Sequence, residues 1–150
     1  MRNLVSRTFV LVSVLGCLAV APGRAQAADF VFIKNVKNST ADLNSHELKD
    51  FLQGAKKAWK NGTPVELILN AEGSPELQWL TKEVLGLPES VLMAKIKQQI
   101  FQGVMKKPPS VATAADCVNE VKKSAGAFCI VDAATAKTLP PDVVVLKFNR

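Results

Sequence analysis

The sequence predicts an α/β domain in which helices cover a largely parallel sheet in helix–sheet–helix layers. Three observations lead there. Four short runs are rich in branched and aromatic residues: Phe30–Lys34, Val65–Leu69, Ala127–Val131 and Val143–Phe148. The stretches between them repeat apolar residues at helical spacing. Strands that alternate with amphipathic helices form layered α/β domains, and the length of the chain supports one core rather than two.

The N-terminus reads as an export signal. Arg2 and Arg7 precede an uncharged apolar run, Phe9–Ala21, and Ala25-Gln26-Ala27 is a small-residue cleavage site, so processing is expected before Ala28. The run has 13 residues, short of the roughly 20 needed to span a bilayer, and Pro22 and Gly23 break it. Val14-Leu15-Gly16-Cys17 offers the alternative of a lipidated Cys17. The expected organisation is therefore a signal over residues 1–27 and one domain over 28–150, located in the periplasm or secreted. The signal carries three arginines and no acid, so the formal charge falls from +6 to about +3 without it. The lysines that remain are interleaved with acids and lack aromatic stacking platforms, which argues against a nucleic-acid partner.

Phe30–Lys34 is the first strand. Asn44-Ser45-His46-Glu47 is a capping box, with Leu43 ahead of the cap placed to pack on Leu48. Leu48, Phe51, Leu52, Ala55 and Trp59 then continue a helical stripe. Asn61–Pro64 is a turn, and Val65–Leu69 a strand covered on both faces. Ser74 caps a second helix with Pro75 at its first position, and Gly86 ends it. A third helix starts at Pro88-Glu89-Ser90 with Leu92, Met93, Ile96, Ile100 and Phe101 on its core side. A fourth, over about Ser110–Lys123, turns Val111, Ala114, Ala115, Val118 and Val121 to the sheet. Two strands, Ala127–Val131 and Val143–Phe148, finish the domain.

Chemistry-bearing motifs are scarce: the sequence has no phosphate-binding glycine loop, no metal-ligand spacing and no nucleophile elbow. An enzyme is not expected, nor a cofactor or metal. The single histidine, His46, falls in the first turn of a helix and reads as a surface residue. Ser74 has no base near it in sequence and reads as a cap rather than a nucleophile. Trp59 and Trp79 occupy positions suited to packing on the sheet or its rim. Past the signal only Cys117 and Cys129 remain, on the fourth helix and the third strand. They either form a disulfide across the helix–sheet layer or stand as two small buried thiols.

A larger pattern runs through the chain. Asn44–Gly54, Trp59-Lys60-Asn61-Gly62, Glu72-Gly73-Ser74-Pro75, Val84-Leu85-Gly86, Phe101-Gln102-Gly103, Pro108-Pro109-Ser110-Val111 and Gly126–Val131 occur in the order found in the second lobe of the substrate-binding proteins of phosphate ABC transporters. The chain resembles a short, single-lobe relative of that family. The resemblance implies one lobe of a type II periplasmic binding protein, with phosphate or a similar oxyanion held at Gly73 and Ser74. It implies as partners an ABC permease, a second lobe-bearing protein, or a second copy in a homodimer. The family loop reads like G-S-G-T followed by arginine, whereas this chain has Gly73-Ser74-Pro75-Glu76-Leu77. Proline removes an amide donor and Glu76 brings negative charge to the helix start. Weak phosphate binding follows, or a lobe kept as an envelope scaffold.

Overall fold

The computed structural model describes residues 29–150. The cleavage site and the Cys17 alternative lie outside the described residues. Seven strands and five helices follow in order: β1 (Phe30–Asn35), β2 (Asp42–Asn44), α1 (Ser45–Leu52), β3 (Glu66–Leu67), β4 (Leu69–Asn70), α2 (Pro75–Trp79), α3 (Glu89–Phe101), β5 (Ser110–Val111), α4 (Ala114–Lys123), β6 (Ala127–Asp132), α5 (Ala133–Ala136) and β7 (Val143–Asn149). Helix α2 runs on through a π-helical stretch, Leu80–Leu85, to Gly86 at φ 65°. The Thr81 hydroxyl donates to the carbonyls of Leu77 and Gln78 at 3.0 and 3.1 Å, competing with the backbone ladder where the helix widens.

The main sheet has the order β2-β7-β1-β6-β3, and β4 pairs with β5 beside it. It is mixed rather than largely parallel. β2 runs parallel to β7 and β3 to β6, but central β1 is antiparallel to both of its neighbours. The cause is the link from β1 to β2. Residues 36–41 are too few for the crossover that parallel strands require, so the chain reverses and β7 later enters between the two.

Alternating side chains send two different layers to the two faces. On one, Phe32, Phe128, Ile130 and Leu146 meet α1, α2 and α3 through Leu48, Phe51, Leu77, Leu92 and Ile96. On the other, Ile33, Ala127, Cys129 and Val131 meet α4 through Cys117, Val118 and Val121. This is the expected helix–sheet–helix layering. Aromatic contacts knit the first layer, with Trp59 edge-on to Phe51 and Phe128 at centroid distances of 5.1 and 5.3 Å. In the second, Cys117 and Cys129 are joined by a disulfide with a Cα–Cα distance of 6.0 Å, inside the usual range.

Several boundaries differ from expectation, each for a local reason. Helix α1 stops at Leu52, and Gly54 follows at φ 65°, so Trp59 is not helical. It is buried from a loop, its indole N–H donating to the Gly126 carbonyl at 2.9 Å. Helix α4 starts at Ala114 because Thr113 is the better cap, its hydroxyl accepting from the Asp116 amide. Val111 belongs to β5, and Ala115 is exposed. Phe101 is 94% exposed rather than core: Leu92, Ile96 and Ile100 follow each other at four-residue intervals, and Phe101 lies one residue further round the helix.

Candidate functional site

Ligands of open α/β sheets bind beyond the carboxyl ends of the strands. Here β3 is parallel to β6, β4 continues β3 and is parallel to β5, so β4, β5 and β6 all end at one edge. Each leads into a helix start. Ser74 caps α2, Thr113 caps α4 and Asp132 caps α5, each accepting from an amide three residues on, at 3.3, 3.1 and 2.8 Å. At each of these starts one of the free amides is capped by the chain's own side chain.

The loop expected to hold an anion, Gly73 and Ser74, lies at this edge. Gly73 adopts φ 78°, a left-handed turn that favours glycine, and Ser74 N–H closes the turn on the Ala71 carbonyl at 3.0 Å. The Gly73 amide is already engaged: it donates to the Glu89 carboxylate at 2.7 Å. Gln78 Nε2 donates to the Gly73 carbonyl at 3.0 Å and braces the other side of the peptide. Glu89 opens α3, sixteen residues along, and occupies the amide with the same chemistry that a phosphate oxygen would bring. Nothing in the sequence singled it out beyond its place after Pro88. Glu72, Glu76, Asp116 and Asp132 are borne on the same edge, and no lysine or arginine is within the three turns that carry them. The Asp132 carboxyl is held below its usual range, chiefly by the Thr135 amide and then by the Thr135 hydroxyl. The three turns are acidic, while β7 ends at the same side of the sheet with Lys147 and Arg150.

Other residues singled out by sequence take structural places. His46 is exposed on α1, its Nδ1 3.2 Å from Asp50. Trp79 packs on Phe30 and Phe32 at centroid distances of 6.0 and 5.7 Å. No cluster of His, Cys, Asp or Glu suited to a metal occurs among the described residues. Glu47 completes the α1 capping box with Asn44 and reaches Lys56 at 2.7 Å and Lys60 at 3.4 Å. Burial pushes its carboxyl up, but the bond to and charge of Lys56, joined by Lys60, prevail and hold it below the ordinary value. Among the described residues no helix is long and apolar enough to cross a membrane.

No protein-family model and no curated protein matches the chain. Solved structures do. PstS from Borrelia burgdorferi superposes with a TM-score of 0.61 at 12% identity, over 81% of this chain and 47% of its own. An ABC-type phosphate transport receptor from Vibrio cholerae gives 0.54 at 14%, over the same shares. A protein from Clostridium perfringens, classed as a phosphate ABC transporter substrate-binding protein and solved with bound phosphate, gives 0.58 at 15%, over 81% of this chain and 46% of its own. The chain spans about half the length of these proteins, and at such identities the likeness is one of fold. The fold is that of one lobe of the phosphate-transport binding proteins.

Proposed function

We propose that this chain is an extracytoplasmic, non-catalytic relative of phosphate-transport substrate-binding proteins that does not hold phosphate by itself and works through contact with another protein. The observation that carries this reading is the Gly73 N–H bonded to Glu89 at 2.7 Å. An oxyanion would have to displace a carboxylate already in place, beside Glu76 and without an arginine to offset its desolvation. The partner that would complete a half-site at Gly73 and Ser74 is a second lobe-bearing protein or a second copy of this chain, and an ABC permease fits the same setting. Export to the envelope follows from the leader over residues 1–27. Calorimetric titration with phosphate at low salt, with sizing alongside, tests the proposal. The wild-type chain should give no saturable heat below millimolar phosphate. Glu89→Gln combined with Glu76→Thr, which removes both carboxylates, should bring weak binding into view. Phosphate binding that falls in the double variant would mean that the carboxylates serve the site, against this reading.

A further inference from the structure

The opposite ends of the same strands are built differently. There the lead-ins to β3 and β6 and the segment before β5 surround a groove of about 850 Å³. Its floor is the outer edge of β3, the last strand of the sheet. Glu66 and Ile68 turn their N–H groups to β6, donating to Gly126 and Phe128 at 3.0 and 3.2 Å, so strand alternation turns that of Leu67 outward. The chain has used the ladder positions on either side: Val65 donates to Lys57 and Leu69 to Pro109, both at 2.9 Å. Between them the segment Gly103–Pro108 lines the groove opposite Leu67.

Two close approaches fix the walls. A Cβ on Gly126 would lie 1.7 Å from the Pro64 carbonyl oxygen, and one on Gly54 would lie 2.7 Å from Val104. The groove carries Lys56, Lys57, Lys106 and Lys107 against a single carboxylate, Glu66. Lys57, Lys106 and Lys107 are exposed, and none has an ion-pair partner among the described residues. Val65, Val104 and Met105 supply apolar wall. At strand dimensions, the volume accommodates on the order of five extended residues.

We infer that this groove binds an extended acidic segment of a partner protein, laid along the β3 edge with its backbone at Leu67 and its carboxylates toward Lys57, Lys106 and Lys107. The open ladder is short, so charge supplies most of the selectivity and the contact weakens with salt. The inference gives a surface to the partner-binding role proposed above and rests on that role for its setting. It does not involve Gly73, so a failure here leaves the phosphate titration to judge the anion loop alone.

The test is fluorescence anisotropy of the full chain with a labelled octapeptide alternating valine and glutamate. Saturable binding is expected, lowered about tenfold or more by Lys57→Glu with Lys107→Glu, and lost when the central peptide residues are proline. All these lysines are exposed, and circular dichroism checks that the variant keeps its fold. A valine–lysine octapeptide that binds as tightly, or an absence of saturable binding to millimolar peptide, overturns the proposal. So do tighter binding to phosphatidylglycerol vesicles than to the peptide, and dimers of the chain that persist in excess peptide.

Discussion

The two ends of the central strands differ in charge and in how completely the chain satisfies itself. At the carboxyl edge, three helix starts are capped by their own side chains, Glu89 occupies the Gly73 amide, and the three turns carry Glu72, Glu76, Asp116 and Asp132. At the amino edge, Lys57, Lys106 and Lys107, none with an ion-pair partner among the described residues, surround an open groove beside an edge strand. The difference teaches that loops at one end of a sheet can commit amides to the chain's own hydroxyls and carboxylates while those at the other leave charge without a partner.

The strongest way to break the comparison is to remove the packing behind the amino edge. Trp59 fills the first apolar layer and its indole N–H holds the Gly126 carbonyl at 2.9 Å. Trp59→Ala should cost about 3–5 kcal/mol, from the cavity and the carbonyl left without its partner. Urea unfolding followed by circular dichroism measures it, and a loss under about 1 kcal/mol would mean that Trp59 does not support this end.

The disulfide comes next, tying α4 to β6 across the second layer. Cys117 and Cys129 are 12 residues apart in sequence, and closing a loop of that size stabilises by about 3 kcal/mol. Mass spectrometry of unreduced envelope material should show no alkylatable thiol, and the Cys117→Ala, Cys129→Ala variant should melt at lower temperature. Two free thiols in native material would leave the pair as buried apolar residues.

A smaller effect sharpens the carboxyl edge. Thr113→Ala removes the cap of α4 and should cost about 1 kcal/mol without changing binding at the amino groove. Thermal melting paired with the octapeptide titration reads both, and coupled loss would show that the two edges are not independent.

The smallest effect is a pH dependence shared by both ends. Glu47, which ties the loop carrying Lys56 and Lys60, and Asp132, which caps α5, ordinarily titrate at 4.5 and 3.8, and both are held lower in the folded chain. As pH falls, the unfolded chain takes up protons at these positions before the folded chain does. Their contribution is therefore complete above the ordinary carboxylate values and is lost as pH drops through the depressed ones. Urea midpoints between pH 6 and 3 should fall, and Glu47→Gln should flatten that slope.

The layering and the helix starts at Asn44 and Ser74 were legible because caps, glycine stops and strand composition are local signals. The direction of β1 was not, since β2, to which its short link leads, is three residues long and owes its strand state to pairing with β7 more than a hundred residues later. Trp59 misled because its spacing from Leu52 and Ala55 continues a helical stripe that Gly54 had already ended. Ser110-Val111 gave no strand signal in two residues; their pairing with Leu69-Asn70 decides their state. Gly73 and Ser74 were legible as a turn and a cap. That Glu89 reaches back to the Gly73 amide depends on how α3 docks, which no local pattern encodes.

The measurement that tests the central claim most directly is calorimetry of phosphate into the wild-type chain, run with sizing to fix its oligomeric state. The account predicts no saturable heat below millimolar phosphate in the monomer, and the same result with sulfate. Micromolar phosphate affinity in a strict monomer would contradict it, because the Gly73 amide could not then be committed to Glu89.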